Sequence, residues 1–434
     1  MKISIFLELA LPRPWSADSD YKVFQEGLEV VDAAERAGLS TAWITEHHFM
    51  EEYSTASAPE IFLAAASQRT SRIRLGHGIM HMPPQINHPA RVAERISTLD
   101  QISNGRVEFG TGEASSVAEL GGFMVDPGKK RAQWIEAVKV ATRAMTETPF
   151  TGFYGEHIEM PPRNVIPKPR QTPHPPLWVA CTTHQTAIMA AENGIGALNF
   201  SRLGPEVLVD RVQEYYQIFE ERGVPIAPGI NANFLAAVGD LALMIGDTMD
   251  EAIARSGHGA GFFGFGIKHY YTRYHRPGVD NIWQELEAAI ARDPTIAYGP
   301  DRGPIGTPAD VRDFLRGYEE TGVDEVMFLL NAENHEGTLE SIERLGTEVM
   351  PEFIEREEKH AAEKAKWAER VYELVESRRP KNQAPPLDPD YTFGGVPVSF
   401  DGTYIAREGA IAQEEHEVER KKRAAQAAAS AGQS

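Results

Sequence analysis

The sequence predicts an α/β chain of the (β/α)8, TIM-barrel class, with insertions and a C-terminal helical extension. Two observations lead there. Short apolar segments without polar alternation, the signature of buried parallel strands, recur from the first residues. Between them run stretches with apolar residues at helical spacing, so the order reads strand, helix, strand, helix. An open doubly wound sheet would need fewer units or a break between halves, whereas eight units fill a closed barrel.

In order, the predicted strands are 3–9, 41–45, 73–80, 106–110, 177–181, 196–200, 231–238 and 325–330. The first helix, 21–37, carries Val23, Phe24, Leu28, Val31, Ala34 and Ala37 at helical spacing and stops at Gly38. Further helices are predicted at 59–69, 88–103, 129–146, 182–192, 205–222, 307–320 and 337–352. Two stretches interrupt the rhythm. Residues 148–175 combine a hairpin pattern with a Pro-rich connection. Residues 255–305 read as a long loop rich in glycine and aromatics, as expected of a lid. The barrel is thus expected over 1–352. In 353–434, a charged helix at 355–378 carries a docking stripe of Trp367, Val371 and Leu374; a Pro-rich segment and a disordered tail follow. The basic run 420–423 reads as a solvated helix end.

Composition narrows the function. A hydrophobic share of 42% with 24% charged residues is globular, and a net charge of −20 disfavours nucleic acid and anionic membrane surfaces. One cysteine, Cys181, rules out an internal disulfide framework and a cysteine-built metal site. The N-terminus lacks the basic region and cleavage site of a signal peptide, and no apolar run approaches ~18 residues. A soluble, cytoplasmic protein is expected.

In such a barrel the chemistry sits at the C-terminal ends of the strands. Strand two ends in Thr45-Glu46-His47-His48-Phe49, where alternation sends Glu46 and His48 one way and His47 the other. Strand three ends in Gly76-His77-Gly78-Ile79-Met80-His81, whose glycines point to close approach by a ligand or another backbone. Around Gly110, strand four is built of small residues that leave room for a flat ring. Strand five ends in Cys181-Thr182-Thr183 just before a helix, where hydroxyls and first-turn N–H groups bind phosphate or simply cap the helix. Residues 259–264 match a dinucleotide glycine spacing but in this reading follow no strand and open no helix. A metal hydrolase built on His47 or His48 with His77 and His81 is a further reading of the histidines.

Several of these segments together resemble the bacterial-luciferase-like flavin monooxygenases: 43–49, Leu75-Gly76, His88-Pro89-Ala90-Arg91, 99–106, Phe109-Gly110 and Pro167-Lys168-Pro169. The resemblance spans about residues 1–352. It implies a subunit that takes reduced FMN from a separate flavin reductase and, through a C4a-(hydro)peroxyflavin, oxygenates a small organic substrate. His47 matches the family's catalytic histidine, with Glu46 supporting it. Thr182, Thr183, Thr186 and Arg131 match the phosphate pocket, and Gly78–Ile79 matches a non-prolyl cis peptide under the ring. An arginine that luciferase uses after strand four is Glu113 here, a departure from the bioluminescent pattern. The family also implies a homodimer, with the 355–378 helix available to wrap a neighbouring subunit. An F420-dependent oxidoreductase that transfers hydride on the same barrel is the alternative, and a non-catalytic partner subunit is a third.

Overall fold

The computed structural model describes residues 1–200, 203–272, 274–298, 303–329, 334–380, 386–392 and 421. Eight parallel strands close into a barrel in chain order: β1 (Lys2–Leu7), β2 (Thr41–Ile44), β3 (Arg74–His77), β4 (Val107–Thr111), β5 (Leu177–Cys181), β6 (Gly196–Asn199), β7 (Phe234–Ala242) and β8 (Glu325–Leu329). The register pairs Leu7 with Ile44, Ile44 with His77, His77 with Phe109 and Thr111 with Val179, so the C-terminal ends form one rim. Strand seven starts three residues later than predicted. Asn231 instead turns inward, its side chain donating to the Leu177 carbonyl at 3.0 Å.

Two indoles fill the barrel floor. Trp43 and Trp178 meet edge to face with centroids 5.5 Å apart. Trp43 Nε1 donates to Glu325 at 3.0 Å and Trp178 Nε1 to Glu108 at 2.7 Å; Ser4 and Arg74 complete the two carboxylates. This packing explains two glycines. A Cβ on Gly76 would lie 2.2 Å from the Trp43 ring, and one on Gly196 2.5 Å from the Trp178 ring. The close approach expected beside Gly76, by a ligand or another backbone, is thus made by a side chain of the same chain.

The 148–175 insertion holds a two-stranded antiparallel hairpin, Phe153–Tyr154 with Glu159–Met160. Glu136 ties its turn down by accepting the N–H groups of residues 156–158, each at 2.9 Å. The second insertion departs from its expected loop character. It forms helices Met249–Ser256, Gly259–Thr272 and Ile282–Arg292. The glycine motif at 259–264 therefore does open a helix, although a helix rather than a strand precedes it. Glycines that lower helix propensity here allow close packing: a Cβ on Gly266 would lie 2.5 Å from the Tyr53 ring. Phe262, Phe263 and Tyr270 are buried beneath this cover.

The closing helix also differs. His335–Arg344 passes through a wider π turn, Leu345–Val349, into Met350–Ser377. Pro351 occupies the first turn of that helix, where its missing N–H is tolerated. The helix packs on its own barrel. Trp367 meets Tyr216 at 5.2 Å, Lys364 pairs with Asp324 at 2.7 Å, and Val371 and Val375 are buried. Leu374, placed on the docking stripe, is 44% exposed, because the i+8 residue rather than the i+7 residue faces inward. Apart from Lys421, residues 393–434 lie outside the described residues, and with them most of the predicted tail and basic run.

Candidate active site

His47 stands at the rim between two carboxylates. Its Nδ1–H donates to Glu119 Oε1 at 2.9 Å, and its Nε2 lies 3.8 Å from Glu8 Oε2. The imidazole is 7% exposed and packs edge to face on Tyr53. Burial opposes its charge, but Glu8 and Glu119 outweigh burial and raise it to about 9. Burial likewise acts on both acids, with opposite outcomes. Glu119, beside His47 and His81, is held down at about 2, whereas Glu8 is pushed up to about 7.

Neither acid was among the expected site residues. Glu119 sits in a short helix, Val117–Gly122, where a loop was expected. The Ser116-x-x-Glu119 pattern is the legible signal: Ser116 Oγ accepts the Glu119 N–H at 3.2 Å and donates to its carboxylate at 2.6 Å. The backbone N–H of His48 gives Glu119 a further bond at 3.2 Å. Glu8 directly follows β1. Its backbone carbonyl accepts Ser54 Oγ–H at 2.6 Å, and Tyr53 donates to its Oε1 at 3.3 Å. Its other oxygen, Oε2, has no hydrogen-bond partner among the described residues.

The alternation read from strand two holds, and Glu46 acts on His47 through its charge, which helps raise the imidazole. That carboxylate accepts His48 Nε2–H at 3.0 Å, the His81 N–H at 2.9 Å and Asn87 Nδ2–H at 2.7 Å. It therefore ties strand two to strand three and makes no hydrogen bond to His47. His77 does not join the other histidines. It is fully buried, with Glu60 and Arg95 of the outer helices among the charges acting on it, and burial lowers it to about 4. His81 is the one that approaches His47, at a ring separation of 6.3 Å.

At strand three the peptide Gly78–Ile79 is trans; the four cis bonds among the described residues all precede proline. The chain continues there on strand-type bonds, Gly78 N–H to Ile44 O at 2.7 Å and Met80 N–H to Gly110 O at 2.9 Å. Those bonds stabilise the ordinary geometry, and a non-prolyl cis bond would cost about 3–4 kcal/mol against it. Gly110 also has a backbone reason: a Cβ would lie 2.0 Å from the His77 carbonyl oxygen.

Across the rim, β5 ends at the N-terminus of helix His184–Glu192. Thr183 caps it, accepting the Thr186 N–H at 3.3 Å, and its hydroxyl meets that of Thr186 at 2.9 Å. Thr182 is exposed beside it. Arg131, at the start of helix Lys130–Thr146, is engaged in an ion pair with Glu113, the residue that departs from the luciferase pattern. Burial pushes the Cys181 thiol far up, so it is no nucleophile. A cavity of about 600 Å³ opens beyond β1, walled by Glu8, Phe6, Phe262, Trp283 and Leu329 among others.

The sequence profile described as luciferase-like monooxygenase matches residues 1–325. The oxygenase component of the flavin-dependent trigonelline monooxygenase of Acinetobacter baylyi is 26% identical over 373 residues, covering 82% of this chain and 96% of the relative. Among solved structures, the oxygenating constituent of 3,6-diketocamphane monooxygenase from Pseudomonas putida, in complex with FMN, superposes with a TM-score of 0.61. It is 19% identical, and the match covers 81% of this chain and 98% of that one. The F420-dependent tetrahydromethanopterin reductase of Methanopyrus kandleri superposes with a TM-score of 0.56 at 20% identity, over 81% and 99% of the two chains. These two likenesses establish the shared barrel. On the profile match across three quarters of its length, this chain belongs to the luciferase-like monooxygenase family.

Proposed function

We propose that this protein is the oxygenase of a two-component system, taking reduced FMN from a separate reductase and inserting one oxygen atom of O2 into a small organic substrate. The observation that carries this reading is His47, buried at the rim with a carboxylate on each ring nitrogen. A proton-handling group of that kind suits oxygen chemistry, which needs protons delivered and withheld at one place.

The donor set at β5 fits a phosphate: three threonine hydroxyls at a helix N-terminus, with the Arg131 guanidinium against Met189 of that helix. Thr182, Thr183 and Thr186 would hold the FMN phosphate, and Arg131 would exchange its bond to Glu113 for one to that anion. Gly78, Ile79 and Gly110 would be the residues that line the flavin ring. Bound there, reduced FMN supplies the electrons that activate O2. His47 holds or donates a proton at Nε2; Glu119 fixes the ring through Nδ1. Glu46 holds the third strand end in place through the His81 N–H. The helical cover at 259–292 excludes water from the rim, which protects a reactive oxygen species from decay. A cytoplasmic homodimer is part of this proposal.

The runner-up is F420-dependent hydride transfer, favoured by the barrel shared with F420 enzymes such as the reductase above. One experiment separates them. The protein is titrated anaerobically with reduced FMN and with reduced F420, then mixed with O2. Tight binding of FMN and rapid O2 uptake are expected. Selective binding of F420, with no oxygen uptake, overturns the proposal.

A further inference from the structure

We propose that Glu8 relays protons between His47 Nε2 and the cavity beyond the first strand, resetting His47 between turnovers. This rests on the reading of His47 as the proton-handling group. The geometry is asymmetric. On the Nδ1 side, Glu119 is saturated by His47, Ser116 and the His48 N–H, so it fixes the ring. On the Nε2 side, Glu8 Oε2 is buried, has no hydrogen-bond partner among the described residues, and lies 3.8 Å away. A shift of under about 1 Å, or one bridging water, brings the pair within transfer distance. The backbone of Glu8 is pinned by Ser54, so its side chain alone moves. Glu8 also forms part of the wall of the 600 Å³ cavity, and so touches both His47 and an exit.

The charged and titratable groups around Glu8 agree with that role. His47 and Tyr53 face it from strand two and the following loop, Glu119 from the Val117–Gly122 helix, and Tyr271 from the covering helix. Arg13, Glu26 and His335 share the cavity wall. Arg13 is engaged by Glu51 at 2.8 Å and His335 by Glu29 at 2.7 Å, so the nearby cations of the wall are paired with other acids. In the relay step the Nε2–H bond of the imidazolium breaks and an O–H bond forms on Glu8. A buried ion pair becomes a neutral imidazole and a neutral carboxyl. Water in the cavity then takes the proton, and the carboxylate returns. Burial keeps Glu8 near 7, where both forms are populated at neutral pH, whereas Glu119 stays ionised.

The test has two arms. In the first, the flavin-free protein is labelled at histidine Cε1 and titrated by NMR, with the His47 signal assigned by its loss in His47→Gln. The wild-type curve is expected to show an inflection near pH 7 in addition to the His47 midpoint. In Glu8→Gln that inflection disappears and the midpoint moves down. No inflection in the wild type, or one that survives in Glu8→Gln, overturns the relay. In the second arm, Glu8→Ala is expected to lower kcat about 10²-fold with KM within twofold, and formate is expected to restore part of it through the cavity. A loss that formate does not restore, while thermal unfolding shows the variant folded, also overturns the relay. The arms separate the two proposals: absence of wild-type turnover with FMN refutes the oxygenase reading, while the NMR arm still decides Glu8 and His47.

Discussion

The two ends of this barrel both bury carboxylates, and they use them differently. At the floor, Glu108 and Glu325 are bound by an indole N–H each, and by Arg74 and Ser4. At the rim, Glu119 is equally saturated, but Glu8 keeps a buried oxygen with no hydrogen-bond partner among the described residues, beside an imidazole. Buried polar groups are normally satisfied, so a satisfied network marks structure and an exception asks for a function. The same fold thus separates a rigid base from a reactive mouth by how completely each acid is hydrogen-bonded.

The largest expected effect breaks the mouth alone. His47→Ala should lower product formation by about 10²–10⁴-fold while FMN affinity changes little; turnover and flavin titration on one preparation check this. If the floor is purely structural, Trp43→Ala should do the reverse. Losing a fully buried indole should cost about 3–5 kcal/mol in chemical denaturation, with kcat per folded molecule retained. A drop in kcat without a stability loss would erase the contrast.

The C-terminal helix gives the next test. Asp324 is buried against Lys364, His360 and Tyr216, and Lys364→Met should destabilise by about 3 kcal/mol by leaving that acid unpaired. Asp324 is held low against burial chiefly by Lys364, so its contribution is present above its unfolded value and lost as pH falls below it. In Lys364→Met that acid-side loss should shrink, as a melting profile against pH reads directly.

The rim should respond to pH on both sides. Glu119, lowered from 4.5 to about 2, contributes above 4.5 and loses that contribution as pH falls toward 2. His47, raised from 6.5 to about 9, contributes fully below 6.5 and loses it as pH rises through 9. Glu119→Gln should therefore flatten the acid limb and also lower the upper midpoint. The smallest effect is expected across the rim: Glu113→Gln should release Arg131 and tighten FMN binding a few-fold, measured by fluorescence quenching of the flavin.

Much of this was legible in the sequence, for physical reasons. Strand periodicity and helical spacing are local properties, so the βα order and the opposite facings of His47 and Glu46 could be read directly. The capping threonine after strand five was legible because a helix start has its own local signature. Glu8 and Glu119 were not. His47 and Glu119 are 72 residues apart, follow strands two and four, and meet only because the tertiary fold opens both strand ends onto one rim. Glycine misled twice for the same reason. Gly76 pointed to a ligand or another backbone and Gly266 to a loop, yet both are small because an aromatic side chain of this chain lies against them.

By itself, the sequence determined the alternation of buried strands with amphipathic helices, the family segments, and which residue types reach the rim. Those follow from spacing along the chain. Tertiary structure alone decided which carboxylates face His47, that Glu46 serves strand three instead, and that the last long helix docks on its own barrel. Hydrogen bonding and desolvation depend on distances through space, and no spacing along the chain fixes those.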